Sequence, residues 1–394
     1  MEFVPVGLGS LEGESMRAKN LVWSRNSGWT GGSPDNEAQF VLFFGNRDAF
    51  SEASFTSGLR SLYPKAHLVG CSTGGQIVGD LVSDEIATAV AMRFEATRIG
   101  LHSLLIDEKG DSSLVGQEIA TRLAAPDLRG VFLISDGLHV NGSQLVAGMR
   151  SVFKDDIVIS GGLAGDGSDF RNTVVHCNGM TLERQVVAVA FYGDAIAIGH
   201  GSAGGWDVFG PKRVITRSQD NVLYAFDGRS ALDLYKLYLG EEASGLPGTG
   251  LLYPLMISDP DRPERALVRT ILAVNEAEGS MTFAGDVPEG WTAQLMRGHF
   301  DRLSSAAADA TSAAMAGRAP GDSDIAAVLI SCIGRRILMG ENIVDEIEAA
   351  QEVLGGQTIT TGFYSYGEIS PHSASGACEF HNQTMTVTTF SEAA

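Results

Sequence analysis

An internal repeat constrains the fold of this chain more than any other feature. Three stretches share one order: an apolar strand, a polar loop, an amphipathic helix, a second strand that enters a glycine-rich turn, and a closing strand. They begin at Phe40 (FVLFFGNRDAF), Val131 (VFLISDGLHVNG) and Ala327 (AVLISCIGRRILMGEN). Alternating strand and helix signals predict a two-part, layered α/β protein, with an α+β arrangement as the alternative.

The turn glycines of the three copies correspond to Gly70, Gly161 and Gly362. The second interval between them is a little more than twice the first, which leaves room for a degenerate fourth copy. The apolar runs near residues 251–260 and 281–290 are the candidates for that copy.

A polar stretch at residues 216–221 separates the first two copies from the later part of the chain and predicts a domain boundary. The alanine-rich residues 304–317 favour a helix by propensity, and residues 317–324 are typical of a loop. The expected units are an N-terminal segment, 1–39, a first domain, 40–215, and a second domain, 216–394.

The charge of the chain excludes some classes of partner. Forty-eight Asp and Glu face 28 Lys and Arg, and the formal net charge is −20 over 394 residues. Nucleic-acid binding and attachment to an anionic membrane both need clustered cations, so neither is expected. No apolar run reaches the roughly 18 residues of a membrane-spanning helix, and no basic leader is visible. Four scattered cysteines without C-x-x-C spacing favour a soluble, cytoplasmic protein without disulfides.

The motif GCSTGG matches G-x-S-x-G, with Ser72 at the nucleophile position and Cys71 beside it. A nucleophile elbow needs a helix directly after the serine, whereas strand formers come next here. Because the motif also coincides with a repeated turn, we interpret it as a structural turn. A hydrolase or transferase that uses Cys71, Ser72 or Cys378 is the alternative. Cys378 and His381 are three residues apart, and this odd spacing puts their side chains on opposite faces of a strand.

A second motif, GHGSAG at residues 199–204, matches G-x-G-x-x-G. A dinucleotide site requires a helix to begin there, so that the pyrophosphate lies at the helix N-terminus. Gly205, Gly210 and Pro211 interrupt the next segment of the chain. A nucleotide site is therefore not expected.

Long motifs make the chain similar to the FIST family of sensory domains. They are GCSTGGQI, GGLAGDGSDF, VAVAFYG and GHGSAGGWDVFGPKRVITRS, followed by LYAFDGRSALDLYKLYLG, GFYSYGEISP and CEFHNQTMTVTTF. The resemblance implies a sensory protein that binds a small ligand, such as an amino acid or another metabolite, and acts without catalysis of its own. It also implies a signalling partner, such as a histidine kinase or a cyclic-dinucleotide enzyme. Some stand-alone members are haem proteins that sense nitric oxide, so non-covalent haem is one candidate cofactor.

Ligands in open α/β sheets bind beyond the strand ends, where glycines let the backbone come close. The candidate ligand-binding residues are therefore Cys71, Ser72, Thr73, Asp166, His200, Trp206, Tyr364, Ser365, Tyr366 and Glu368. A haem iron commonly takes a histidine, and His200 and His381 are the candidate axial ligands. No C-x-x-C-H motif is present, which excludes covalent attachment.

Overall fold

A computed structural model describes residues 16–107, 110–263, 265–316, 324–371 and 376–392. It confirms the three copies and the mixed α/β class. In each copy the first two strands are parallel, and the closing strand is antiparallel to the first. The first strands are continuous apolar runs, as expected of strands that are buried on both faces.

Two strands precede the first copy, within the expected N-terminal segment. The elements from here to the end of the first copy are β1 (Arg17–Ser24), β2 (Gly28–Thr30), β3 (Phe40–Gly45), α1 (Ala53–Leu62), β4 (His67–Ser72), β5 (Gln76–Val78), β6 (Leu81–Ser83), β7 (Ala87–Arg93) and β8 (Arg98–Leu105). A short 3-10 helix, Arg47–Ser51, precedes α1.

The second copy has an additional helix in front of its first strand. Its elements are α2 (Ser112–Leu123), β9 (Leu128–Ser135), α3 (Gly142–Arg150), β10 (Val158–Leu163), β11 (Val175–Cys177), β12 (Met180–Leu182), β13 (Gln185–Tyr192) and β14 (Ile196–Ala203). Asp111 caps α2 and Asn141 caps α3, each through a side-chain oxygen that accepts a backbone N–H.

An antiparallel sheet with its own helix lies between the second and third copies, and we call residues 206–298 the insert. Its elements are β15 (Trp206–Gln219), β16 (Val222–Phe226), β17 (Arg229–Ser230), α4 (Ala231–Leu239), β18 (Leu255–Ser258), β19 (Ala266–Arg269), β20 (Ile271–Asn275), β21 (Ser280–Phe283) and β22 (Thr292–Gly298). Two 3-10 helices, Gly240–Gly245 and Gly248–Leu252, come after α4.

The third copy also begins with an additional helix. Its elements are α5 (Phe300–Met315), β23 (Ala326–Cys332), α6 (Ile333–Met339), α7 (Ile343–Leu354), β24 (Ile359–Ser365), β25 (Gly367–Pro371), β26 (Cys378–His381) and β27 (Met385–Glu392), with a 3-10 turn at Gly340–Asn342. The helix α5 confirms the prediction from the alanine-rich stretch. Most of the loop predicted at 317–324 lies outside the described residues.

The three copies exchange hairpins in a closed ring. The β5–β6 hairpin of the first copy joins the sheet of the third, β11–β12 of the second joins the first, and β25–β26 of the third joins the second. At the opposite edges, β8 pairs with β13 and β14 with β27. The strand β1 pairs with β7 in the corresponding place and completes the ring. We call these three sheets, with their helices, the body.

The inner faces of the three sheets share one apolar core. Aromatic pairs join every two of them: Phe44 with Phe363 at 4.4 Å, Phe191 with Phe390 at 4.9 Å, and Phe40 with Phe191 at 6.1 Å between ring centroids. The helices cover the outer faces, and each apolar helix stripe packs on its sheet.

The predicted fourth copy is wrong. The first candidate run contributes β18 and the second contributes β21, and both pair only with antiparallel neighbours in the insert. A short apolar run has the same appearance in a repeated α/β unit and in a small antiparallel sheet, so periodicity did not separate them. The boundary predicted after residue 215 falls inside β15, and the division into domains stays a prediction.

In the part of the chain that the structure describes, no helix is both long and apolar enough to cross a membrane.

Candidate functional site

The glycine-rich turns of the three copies meet and interlock. In each, the residue after the turn donates its backbone N–H to a carbonyl of another copy, at 2.8–3.3 Å: Gly74 to Tyr364, Gly165 to Ser72, and Tyr366 to Leu163. This cyclic set of bonds closes the ring of copies. The motif GCSTGG is therefore one of the three turns whose hydrogen bonds close the ring.

The aligned glycines are required by the first strands beside them. A Cβ at Gly70, Gly161 or Gly362 would lie 2.4, 1.9 or 2.0 Å from the carbonyl oxygen of Phe43, Leu133 or Leu329. These three oxygens occupy the same register position in their sheets. The sequence alignment of the turns is confirmed, and its cause is steric.

The candidate nucleophiles are buried within this frame. The Ser72 hydroxyl accepts the backbone N–H of Val174 at 3.0 Å, and the next element along the chain is β5 rather than a helix. Burial raises the pKa of the thiol of Cys71 well above its ordinary value, and it also raises the pKa of Cys378. A protonated thiol is a poor nucleophile, so these contacts do not favour the enzyme alternative.

Three of the predicted residues belong to two buried polar groups in the third copy. Ser365 donates its hydroxyl to Glu368 at 2.5 Å, and the other carboxylate oxygen of Glu368 accepts the hydroxyl of Thr384 at 3.0 Å. Burial raises the pKa of Glu368 to about 8. The hydroxyl of Tyr364 points to Glu346, which forms a fully buried ion pair with Arg335 at 2.5 Å. The polar groups of these side chains therefore have partners within the interior.

Thr73 is buried in the equivalent turn of the first copy. Its hydroxyl donates to the carbonyl of Gly45 at 3.2 Å and contacts the side-chain amide of Gln76. Gln76 occupies the position that Glu368 has in the third copy. Each of them pairs with the residue that follows an aligned turn glycine, Phe363 for Gln76 and Gly162 for Glu368.

Asp166 and Tyr366 join the second copy to the third. The buried carboxylate of Asp166 accepts the Tyr366 hydroxyl and the backbone N–H groups of Arg171 and Asn172 at 2.9 and 2.8 Å. The ring of Tyr366 stacks on Phe170 with 4.5 Å between centroids and 14° between planes. This stacked pair lies at the edge of the body that faces the insert.

The structure places the remaining predicted residues elsewhere. Trp206 donates its indole N–H to the carbonyl of Gln383 at 2.8 Å. His200 lies on β14 opposite Thr388, and burial lowers its pKa. His381 is 5% exposed, and its Nε2 lies 3.0 Å from the carbonyl oxygen of Ser370. In the described ranges, no group of three or more His, Cys, Asp or Glu side chains is arranged around a metal position.

A cleft of about 290 Å³ lies between the body and the insert, and we call it the interface cleft. It opens beyond the carboxyl ends of the parallel strands β9 and β10, where α/β sheets commonly bind ligands. The body contributes Leu163, Phe170, Tyr366 and the loop 137–141. The insert contributes Asn221, Leu272 and Ala284.

A histidine and a buried carboxylate form the polar centre of the interface cleft. Asp136 accepts the backbone N–H groups of Leu138, His139 and Arg184, each at 2.8 Å. Its Oδ1 also lies 3.1 Å from Nδ1 of His139. Because a carboxylate in this setting only accepts, Nδ1 carries the proton, and Nε2 of a neutral His139 is left as an acceptor.

Asp136 and His139 were not among the residues predicted from the sequence. Most of the predicted residues lie at the turns after the second strands, whereas these two come after the first strand of the second copy. The polar run DGLHVN directly after a buried apolar strand was the available signal.

A second, more open cleft of about 480 Å³ lies beside the interlocked turns, between Asp166, Asp169 and Arg336. Arg336 binds both carboxylate oxygens of Asp84 at 2.7 Å. The main cation of this cleft is therefore already neutralised, and the interface cleft is the stronger candidate.

Comparison with known protein families decides the identity of the chain. The FIST N domain matches residues 39–229, and the FIST C domain matches residues 231–371. The chain belongs to the FIST family. FIST domains are small-ligand sensory domains of signal transduction. The junction between the two FIST matches lies inside the insert, directly before α4.

Other comparisons add little. No curated protein matches the chain. A crystal structure of cyanuric acid hydrolase from A. caulinodans aligns with 76% of this chain and 100% of its own at 14% identity, with a TM-score of 0.19. A likeness that weak carries no argument about fold or activity.

Proposed function

We propose that this FIST protein is a sensor that binds a small ligand in the interface cleft and reports to a signalling partner, such as a histidine kinase or a cyclic-dinucleotide enzyme. The observation that carries the proposal is the Asp136–His139 pair. A buried carboxylate holds the imidazole of His139 in one orientation, and His139 lines a cleft whose walls are largely apolar. Ligand sites commonly combine apolar walls with a few oriented polar groups.

The position of the cleft supports a reporting role. Its walls come from the body and from the insert, and the insert leaves and re-enters the body on neighbouring strands, with Trp206 opposite Gly298. A ligand that contacts both units favours the docked arrangement by its differential affinity for it. A change in docking of the insert is then available to a partner protein.

A short latch joins the two units beside the cleft. The side-chain amide of Asn141 donates to the carboxylate of Asp286 at 2.7 Å, and the backbone N–H of Asp286 donates to Ser143 at 3.1 Å. The buried Arg269 donates to the Asp286 carbonyl at 2.8 Å. Because Asn141 also lines the cleft, ligand contacts and latch contacts share one residue.

A binding screen tests the proposal. Amino acids and related metabolites are screened by thermal shift and calorimetry against the wild-type chain and against His139→Gln. The matched control is His299→Gln, since His299 also faces a carboxylate, Asp207 at 3.9 Å, and does not line the interface cleft. We expect the His139 variant to lose at least about tenfold in affinity, because a buried polar group of the ligand loses its partner. Equal affinity in wild type and His139→Gln contradicts the proposal.

A haem-based nitric-oxide sensor is the finer alternative implied by the family resemblance. Neither His200 nor His381 lines the interface cleft or the cleft beside the turns. His381 is buried and already hydrogen-bonded, so it does not fit a haem iron without rearrangement. An absorption spectrum after reconstitution tests this version. A stoichiometric Soret band that shifts with nitric oxide and disappears in His200→Ala favours it, and a flat spectrum counts against it.

A further inference from the structure

We infer that the ligand of the interface cleft is a small, flat amine or N–H heterocycle, bound as a neutral or cationic species rather than as an anion. This inference rests on the proposed function and specifies the chemistry of the same cleft. It derives from the polar capacity of the lining residues, their charge and their shape.

The polar capacity of the cleft is that of an acceptor. In the neutral tautomer of His139 whose Nδ1 binds Asp136, the lone pair is at Nε2. Each of three side-chain donor groups of the lining already has an acceptor. The Tyr366 hydroxyl donates to Asp166, the Asn141 amide to Asp286, and the Asn221 amide to the carbonyl of Phe283 at 2.7 Å. A ligand that brings its own N–H donor satisfies His139 without leaving these groups unpaired.

The charge around the cleft disfavours an anion. No lysine or arginine is found among the described residues that line it. The carboxylates of Asp136 and Asp286 each bind a side chain of the lining. The carboxylate of Asp166 binds Tyr366 and also faces Arg47 at 3.5 Å, so the first two provide most of the negative charge. A desolvated anion without a cationic partner is costly, whereas a cation gains from these carboxylates.

Besides Arg47, which Asp166 neutralises, two nearby positive groups do not change this balance. The N-terminus of α3 would favour an anion, but Asn141 caps it and Asp286 binds the cap. Arg269 is 3% exposed and lies outside the lining, with hydrogen bonds to the carbonyls of Asp286, Val268 and Phe380. Both groups are used by the latch.

The shape of the cleft suits a flat apolar molecule. The parallel rings of Phe170 and Tyr366 form part of one wall, and Leu138, Leu163 and Leu272 add aliphatic surface. A volume of about 290 Å³ is at the lower end of the usual range for ligand pockets. One or two fused rings with a short side chain match this size.

A matched pair of ligands tests the inference. Tryptamine and tryptophan share an indole and an amino group and differ by one carboxylate, and calorimetry with the full chain near neutral pH compares them. We expect saturable binding of tryptamine, with tryptophan at least about tenfold weaker because its carboxylate finds no cation. His139→Gln should weaken tryptamine binding at least about tenfold, and His299→Gln should leave it unchanged.

Each other outcome overturns a specific statement. Tryptophan binding as tightly as tryptamine, with loss in His139→Gln, refutes the amine class and leaves the cleft as the ligand site. Tryptamine binding that His139→Gln does not weaken refutes both the inference and the proposed function. Absence of binding by both compounds up to about 10 mM refutes the amine class, and the wider metabolite screen then decides the proposed function.

Discussion

The turns after the second strands and the loops after the first strands lie at the same end of the body, yet they have opposite roles. The turns contain the motifs that resemble functional sites, and their atoms hold the three copies together. The loop after β9 matches no named motif and presents an oriented histidine to a cleft. A glycine-rich motif at a strand end can therefore be evidence of packing, whereas the polar run beside it lines the cleft that we propose as the ligand site.

The first-strand ends also differ among the copies. Asn46, Asp136 and Cys332 occupy equivalent positions at the ends of the first strands. Each lies three residues after the residue that pairs with an aligned turn glycine. Asn46 caps a 3-10 helix by accepting the N–H of Ala49 at 2.8 Å, and Cys332 precedes α6 with its pKa raised by burial. Only Asp136, among these three, binds a side chain that lines the interface cleft.

The largest expected effect comes from disturbing the packing of an aligned glycine in the turn region. Gly161→Ala puts a Cβ 1.9 Å from the Leu133 carbonyl at a backbone φ of +142°, which side chains rarely adopt. We expect a loss of at least about 4 kcal/mol in the free energy of unfolding, or failure to fold. Denaturant titration measures it. Gly356→Ala, where nothing lies within 4 Å, is the control and should change stability by less than about 1 kcal/mol.

A smaller effect concerns the buried carboxyl of Glu368. Its folded pKa of about 8 exceeds the ordinary glutamate value of 4.5, so between these values the folded state binds more protons than the unfolded state. Stability should therefore fall as the pH rises through this window. Glu368→Gln should remove that slope and be more stable than the wild type at pH 8, on the order of 3 kcal/mol. If the free energy of unfolding changed with pH in the same way in both proteins, the carboxyl of Glu368 would not be protonated in the folded state.

The next effect distinguishes the two residues of the pair, Asp136, which orients the histidine, and His139, which lines the cleft. Asp136→Asn turns one acceptor oxygen into a donor against the backbone N–H groups it now binds, and should cost about 2 kcal/mol. His139→Gln removes a partly exposed side chain and should cost less than about 1 kcal/mol. Both variants should lose ligand affinity, so denaturation and calorimetry are measured together. A His139→Gln protein that is as unstable as Asp136→Asn contradicts the division of roles.

The smallest effect concerns the latch. Asp286→Ala removes the bond from Asn141 and should cost about 1 kcal/mol in docking of the insert. Hydrogen exchange should rise in the loop that contains Asp286 and at the start of α3, with the turn region unchanged. Glu276→Ala, which removes an exposed contact of the insert with Lys236, is the control and should leave exchange in both segments unchanged. Equal exchange in the Asp286 variant and the wild type would remove the latch from the proposal.

The local part of this structure was readable from the residues. The strand–helix–strand order, the aligned turn glycines and α5 were predicted because sterics and propensity act between residues close in sequence or at a repeated period. The predicted binding residues are only partly gathered. Tyr366 lines the cleft, and Asp166 accepts the hydroxyl of Tyr366. Most of the other predicted residues are buried in the core or lie elsewhere. Which role they have in ligand binding stays a prediction.

Tertiary contacts supplied the remainder. The hairpin exchange, the docking of the insert and the interface cleft depend on pairs far apart in the chain, such as Asn141 with Asp286 and Asp166 with Tyr366. No local pattern encodes such a pair, because its free energy arises only when the fold brings both partners together and removes water from between them. The repeat and its glycines could therefore be recognised from the sequence alone. The interface cleft could be recognised only in the tertiary structure, because its walls come from distant parts of the chain.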